Sequence, residues 1–290
     1  MPRRRSTTSS RAATTGHKNK GLRHAATVLP LAISLACSQL PSAKPPSSDT
    51  ETQGTVQKGH FTPVCTLPFA GAPNPPSDSH CGMQGGSSDP AKQAESMAKN
   101  NFCVAKNVPG VITYQELVDL QAKSSAAKLP KSIPDRSVVQ SMGEGKYVSY
   151  VAFIKEAHYS DTAKGEAVNC NIPGSATNDI HIVLMPDEKD TDECHSTTAE
   201  MSPHYRPESW TPTNIEKASA GHPVRLQGHL FYDGSHSPCT ATTKPNPKRA
   251  SLWEIHPVYS FEICNLTTIA ECQGTAAEWT PLEKVFSTEE

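Results

Sequence analysis

The sequence predicts a mainly β protein whose largest domain is a five-stranded barrel. Three strand patterns, one short helix pattern and two further strand patterns follow one another between residues 146 and 264. This order is typical of an OB-like Greek-key barrel, and about 120 residues is a suitable size for one such domain. A β-sandwich would need about seven strands, and only five are found.

The barrel elements are predicted from segments rich in Val, Ile, Tyr and Phe and from their apolar and polar alternation. The predicted strands are 146–157, 179–185, 197–201, 224–232 and 252–263, with a helix at 214–218 between the third and fourth. The barrel domain is assigned to residues 136–277, and residues 278–290 are assigned to a C-terminal tail.

A small helical extension is predicted before the barrel, at residues 64–135. Asp89 and Pro90 form an N-cap and a first-turn proline ahead of good helix formers at 91–101. Thr113 and Glu116 form a capping box before a second helix. Because this extension has few apolar residues, we expect disulfides to hold it together.

The N-terminus has the pattern of a secretory signal peptide at residues 1–37. Seven basic residues and no acidic one precede an apolar run that is too short to span a membrane. The stretch from Ser34 to Cys37 resembles a bacterial lipobox but departs from it at Ser34, so both lipidation of Cys37 and simple secretion stay open. Residues 38–63 are polar and read as a flexible tether. The expected location is therefore extracytoplasmic: secreted, periplasmic or membrane-anchored.

The cysteines support an oxidising compartment. Without Cys37 an even set of eight is left, which is suited to disulfides of undetermined connectivity. These eight are Cys65, Cys81, Cys103, Cys170, Cys194, Cys239, Cys264 and Cys272. Their spacing does not match a zinc knuckle.

Net charge limits the classes of partner. After residue 37 the chain holds 20 basic and 29 acidic residues, a net charge of −9 with neutral histidines. Such a chain repels a phosphate backbone, so nucleic acid is not an expected partner. The expected partners are a small molecule, a glycan or an envelope protein, and membrane contact is expected only through an N-terminal lipid.

Polar residues on the predicted strands form the candidate site. Strand alternation places Trp253, Ile255, Tyr259, Phe261 and Ile263 on one apolar face of the last strand. The candidates for ligand or metal binding lie on the opposite faces of the strands or beside them. They are Asp179, His181, Glu200, Asp233, His236, Glu254 and His256.

Imidazoles and carboxylates brought together in this way can bind a divalent metal ion or act as general acid and base. Two other interpretations stay open. The face is solvated, as half of a small antiparallel barrel often is, or its polar groups are buried in paired hydrogen bonds.

Three segments around the candidate residues also resemble a recurring pattern in uncharacterised secreted bacterial proteins with an OB-like C-terminal domain. They are Asn178-Asp179-Ile180-His181, Gly228-His229-Leu230-Phe231-Tyr232-Asp233 with His236, and Trp253-Glu254-Ile255-His256-Pro257-Val258. The resemblance covers the last 120 residues or so, and it implies no established activity.

The sequence thus favours an extracytoplasmic binding or interaction module that binds through the open face of its strands. The alternative is a metal-dependent secreted hydrolase that uses the His and carboxylate residues as ligands or proton carriers. A structural role in the cell envelope is a third hypothesis. The sequence contains no Gly-x-Ser-x-Gly elbow, phosphate loop or His-Glu-x-x-His helix.

Overall fold

A computed structural model describes residues 82–101 and 108–287. The strands are β1 (Gly110–Ile112), β2 (Tyr147–Tyr159), β3 (Ile180–Met185), β4 (Thr197–Met201), β5 (Val224–Tyr232), β6 (Trp253–Cys264) and β7 (Trp279–Pro281). The helices are α1 (Pro90–Lys99), α2 (Tyr114–Ala126), α3 (Ser137–Met142), α4 (Pro212–Ser219), α5 (Ile269–Cys272) and α6 (Leu282–Val285). The predicted signal peptide, the tether, Cys65, Cys81 and Cys103 lie outside the described residues.

The described part is mainly β and contains a closed barrel of five strands. The strands follow the order β2-β3-β4-β6-β5, and β5 returns to pair with β2. All these pairs are antiparallel except β4 with β6, which is parallel. β1 adds to β2, and β7 adds to β6. The five predicted strands and the helix between the third and fourth are confirmed, with ends that differ by at most two residues.

The barrel interior is filled by the apolar residues of the alternating strands. On β3, Ile180, Ile182 and Leu184 are fully buried. The inward residues of β4, β5 and β6 join them in one continuous core. This packing removes one face of each strand from water, so the charged residues of β3, β4 and β6 must lie on the outer face.

Helix α2 covers one end of this core. Its N-terminus has the predicted capping box, because Thr113 and Glu116 exchange side-chain to backbone hydrogen bonds. Leu117 is buried, and Ser124 Oγ accepts a 2.8 Å hydrogen bond from the indole N–H of Trp253. The polar atom of the large buried indole is therefore satisfied inside the core.

Helix α1 begins as predicted and lies against the connection between β2 and β3. Asp89 accepts a hydrogen bond from the backbone N–H of Ala91, and Pro90 occupies the first turn. At the other end of the helix, Asn100 Nδ2 donates to the carbonyl oxygens of Met83 and Val168. These bonds hold α1 and the connection together over the outer face of the barrel.

Strand β6 departs from simple alternation. Its register against β5 shifts twice around Gly228, so that β6 carries extra residues there. Val258 consequently points into the core, whereas Tyr259 lies outside it, edge-on to the His229 ring. The prediction that Tyr259 shares the core face is wrong, because it assumed an unbroken period of two.

The disulfides indicate an oxidising, extracytoplasmic environment. Cys194 is bonded to Cys239, and Cys264 is bonded to Cys272. Cys170 is also disulfide-bonded. Within the described ranges, no helix has the length and apolar character needed to cross a membrane.

The close approach at Gly228 gives a stability prediction. A Cβ on Gly228 would lie 2.3 Å from the carbonyl oxygen of Pro257, which is backbone and cannot turn away. We expect Gly228→Ala to lower the free energy of unfolding by about 1–3 kcal/mol, as overpacking does. Gly110→Ala is the matched control, since a Cβ on Gly110 has its nearest neighbour at 3.9 Å. Urea unfolding of both variants compares them, and equal stabilities would contradict the prediction.

Candidate functional site

The seven residues predicted from the sequence lie together on the outer face of the barrel. Three further charged residues join them in one layer, which we call the polar layer. Its members are Lys99, Glu166, Asp179, His181, Glu200, Asp233, His236, Arg249, Glu254 and His256. Contacts of 2.7 to 3.8 Å between acidic and basic groups connect all ten.

Strand register brings the central members together. His181 on β3 is the register partner of Glu200 on β4. Ala199 on β4 is paired with Ile255 on β6, which places Glu200 beside Glu254 and His256 on the outer face. The parallel contact between β4 and β6 therefore joins residues that are more than 50 positions apart in sequence.

The centre of the polar layer is buried, so the interpretation of a solvated strand face is wrong there. Asp179 and Glu254 are 0 % exposed, and Glu200, Asp233 and His256 are 1 % exposed. Helix α1 and the connection between β2 and β3 cover the face that alternation alone would leave open to water. The expectation that a ligand binds to an open strand face is therefore also wrong for these residues.

His256 lies at the centre of the layer. Its Nδ1 is 2.7 Å from Glu200 Oε2 and 3.7 Å from Glu254 Oε1, and its Nε2 is 3.4 Å from Asp179 Oδ2. At these contacts neither ring nitrogen meets the full geometry of a hydrogen bond to a described residue. Three carboxylates thus surround one imidazole at contact distance without satisfying it.

A second group of carboxylates lies beside Glu200 and has its own cations. Lys99 Nζ is 3.1 Å from Glu200 Oε2. Arg249 Nη1 is 3.3 Å from Glu254 Oε2 and 3.8 Å from Asp233 Oδ2. The charges of Glu200, Asp233 and Glu254 are therefore balanced in part by fixed side chains.

Two histidines lie at the edges of the layer. His181 Nε2 is 3.4 Å from Glu200 Oε1 and 3.5 Å from Glu166 Oε1. His236 Nε2 is 3.3 Å from Asp233 Oδ2. The side chains of His181 and His236 are 20 % and 34 % exposed, whereas their acidic partners Glu200 and Asp233 are buried. Water reaches the edges of the layer but not its centre.

The burial of so many carboxylates perturbs their acid-base behaviour. Burial raises the pKa of Asp179 to about 6 and that of Glu254 to about 7, and neighbouring carboxylates act in the same direction. Burial alone would lower the pKa of His256, but the carboxylates around it, Glu200 foremost, raise it to about 10. Shifts of this size are concentrated at functional sites and in buried ion-pair networks.

Three members of the layer were not among the candidates predicted from the sequence. Lys99 lies at the end of α1, Glu166 in the connection from β2 to β3, and Arg249 in the connection from β5 to β6. Each lies outside the strand patterns, so alternation gave no signal for it. The need of buried carboxylates for cations could have indicated Lys99 and Arg249 only after the burial was known.

Two groups in the layer have the composition of a metal site. One ligand atom each from Asp179, Glu200 and His256 lie within 4.8 Å of one another, and the same holds for Glu200, Asp233 and Glu254. Ligand atoms about 2.0–2.2 Å from a shared tetrahedral ion lie about 3.3–3.6 Å apart, so a pair at the 4.8 Å limit would have to approach by about 1.2 Å or more on binding the ion. The first group fits a divalent transition metal better, because it contains an imidazole and because Arg249 already contacts Asp233 and Glu254 of the second.

A cavity lies next to the polar layer, between α1 and the connection from β2 to β3. Its volume is about 340 Å³. Lys99 and Glu166 form part of its wall, whereas Asp179, Glu200 and His256 are not among the described wall residues. The cavity thus reaches the edge of the layer but not its centre. Its size falls in the range of small-molecule sites, which is about 300–1,000 Å³.

Comparison with family models, with curated proteins and with solved structures gave no match for this chain.

The contact between Lys99 and Glu200 gives a second stability prediction. In the presence of EDTA, Lys99→Met should lower the free energy of unfolding by about 3–5 kcal/mol, because it leaves a buried carboxylate without its cation. Lys248→Met is the matched control, since Lys248 has a similar 3.2 Å contact with Glu193 on the surface. There the expected loss is at most about 1 kcal/mol. Similar losses in the two variants, measured by urea unfolding, would contradict the importance of the buried contact.

Proposed function

We propose that this chain is an extracytoplasmic binding module built around a buried divalent metal ion, with Asp179, Glu200 and His256 as ligands. The observation that carries the proposal is a set of buried polar atoms at the centre of the layer without an aligned hydrogen-bond partner among the described residues. These atoms are Asp179 Oδ2, Glu254 Oε1 and both ring nitrogens of His256, and His181 Nε2 at the edge of the layer is a fifth such atom.

Such atoms are costly in a folded protein. Each buried and unsatisfied polar group destabilises the fold by about 1–3 kcal/mol, and native proteins retain only a few. Here five of them come from β6, from β3 and from the residue just before β3, and His256 contacts both Asp179 and Glu254. A cation bound between Asp179 and His256 would satisfy a carboxylate oxygen and a ring nitrogen together.

The charge of the layer supports the same proposal. Five carboxylates are buried or half-buried there, and Lys99 and Arg249 are the permanent cations that contact them. The raised pKa values of His181 and His256, about 9 and about 10, make both imidazoles cations in the metal-free layer. With its five carboxylates ionised the layer then carries a net charge of −1, which a divalent ion that replaces the proton of His256 reduces to 0. Because unpaired charges are expensive to bury, this reduction stabilises the layer. One imidazole and two carboxylates suit a transition metal such as Zn²⁺ or Mn²⁺.

The geometry supports binding better than hydrolysis. Structural metal sites are closed, whereas catalytic sites keep an open position for water or substrate. The three ligand residues are at most 1 % exposed and do not line the cavity as far as the described residues go. The metal would therefore hold the polar layer together while the neighbouring cavity takes the ligand. A hydrolase would need the ion to face that cavity.

The barrel class and the cellular location of the protein are also part of the proposal. The closed order β2-β3-β4-β6-β5, the parallel pair β4 with β6, and the helix α4 between β4 and β5 support an OB-like Greek-key barrel. The signal-peptide pattern at residues 1–37 supports export, in line with a secreted or lipid-anchored bacterial protein. The disulfides agree with an oxidising compartment.

Metal binding is tested by native mass spectrometry of the mature protein after incubation with Zn²⁺ or Mn²⁺ and removal of excess metal. We expect one ion per chain for the wild type. Asp179→Asn and His256→Gln should lower the affinity at least about 100-fold, because each removes a ligand of the ion. Circular dichroism is recorded in parallel to show that each variant is folded.

His195→Gln is the matched control for metal binding. His195 also contacts a carboxylate, Asp190, at 2.7 Å, but its side chain is 55 % exposed. This variant should bind the ion as the wild type does. A folded wild type without bound metal, or an equal loss in His195→Gln, would contradict the proposed site.

A further inference from the structure

The cavity between α1 and the connection from β2 to β3 is the part of the molecule that the metal site does not use. Its wall contains basic and acidic side chains and a small apolar area. On α1 it is formed by Lys92, Glu95, Ser96 and Lys99, and opposite α1 by residues of the range 160–168. Ala167 and Val168 provide the apolar part.

Two of the charged groups in the wall are already engaged. Lys99 contacts Glu200 at 3.1 Å. Glu166 accepts a hydrogen bond of 2.8 Å from the Ser160 hydroxyl and one of 3.1 Å from the backbone N–H of Asp179. These contacts fix the inner wall of the cavity and leave it little charge with which to bind a ligand.

Two other groups in the wall have no close partner, although the charges of Lys99 and Lys92 act on the Glu95 carboxylate from a longer distance. Within the described part of the chain, neither Lys92 nor Glu95 has an ion-pair partner within 4.0 Å or a side-chain hydrogen bond. Glu95 is partly buried, and this burial raises the pKa of its carboxyl group. Residues three apart on a helix are neighbours, with Cβ atoms about 5–6 Å apart. The wall therefore offers an ammonium and a carboxylate within one helical turn.

We propose that this cavity binds a small zwitterion, namely a free amino acid or a dipeptide. The ligand's ammonium group binds the Glu95 carboxylate, its carboxylate binds the Lys92 ammonium, and an aliphatic side chain contacts Ala167 and Val168. A cavity of about 340 Å³ has room for a molecule of this size. The inference rests on the binding-module function proposed above, but it does not depend on the metal ion.

Other small ligands fit the wall less well. A simple anion would be repelled by Glu95 and by Asp161, which also lines the cavity. A simple cation would leave Lys92 without a partner. The described wall contains no aromatic ring on which a sugar could stack. A ligand that carries both an ammonium and a carboxylate group would pair with both Glu95 and Lys92. Such charge-assisted hydrogen bonds are stronger than those between neutral groups.

The test is a titration of the ¹⁵N-labelled mature protein with the dipeptide Ala-Ala, followed by amide chemical shifts. We expect shifts in residues 92–99 and 160–168. N-acetyl-Ala-Ala lacks the ammonium and Ala-Ala amide lacks the carboxylate, and each should bind at least about tenfold more weakly. Absence of shifts in these ranges, or equal binding of N-acetyl-Ala-Ala, would overturn the proposal.

Variants of the two free groups locate the site. Glu95→Gln and Lys92→Gln should each weaken Ala-Ala binding at least about tenfold. Glu156→Gln is the matched control: Glu156 is an exposed carboxylate on β2 that does not line the cavity, and it should bind Ala-Ala as the wild type does. An effect of Glu156→Gln equal to that of Glu95→Gln would also overturn the proposal.

The titration is repeated on protein treated with EDTA and on His256→Gln. Binding of Ala-Ala in both samples, together with absence of metal in the wild type, would refute the metal site and retain the cavity. Metal binding without Ala-Ala binding would refute the zwitterion proposal alone.

Discussion

The burial of carboxylates on the outer face of the barrel is the constraint on which the rest of the structure depends. Glu200 is the clearest case, since it is 1 % exposed and contacts Lys99, His181 and His256. A carboxylate removed from water must be compensated by cations and hydrogen bonds, or it becomes protonated. The fold provides this compensation from several elements, and α1 contributes through its last residue, Lys99.

This constraint explains why the N-terminal part of the described chain packs on the barrel. Helix α1 has few large apolar residues, so apolar burial alone would attach it only weakly to the barrel. The contact of Lys99 with Glu200 and the hydrogen bonds of Asn100 to Met83 and Val168 fix it instead. The cavity lies between the same two elements, beside these polar contacts.

The proposed metal and the proposed zwitterion have separate roles in this architecture. The metal group lies at the closed centre of the polar layer, and the cavity lies at its edge. Lys99 and Glu166 belong to both the layer and the cavity wall. These two side chains connect the layer to the cavity wall, although the ligand itself would not touch the ion.

By itself the sequence determined the barrel strands and which residues they carry, because strand alternation and helix caps act over a few neighbouring positions. The segment 197–201 was predicted with its observed ends, and Thr113 and Glu116 formed the expected capping box. Strand alternation predicted the wrong face for Tyr259, because the bulge in β6 opposite Gly228 of β5 interrupts the period of two.

Only the tertiary structure decided whether the polar face is open or covered. Lys99 and Arg249 join the layer from outside the strand patterns. The contact of Lys99 with Glu200 spans 101 positions of the sequence, and Arg249 lies in a connection without regular alternation that would predict its contact with Glu254. The seven candidate residues could be named from the sequence, since they lie on the polar faces of strands or close to strand ends. Their burial, their unsatisfied atoms and the cavity beside them depend on long-range packing, which no short segment encodes.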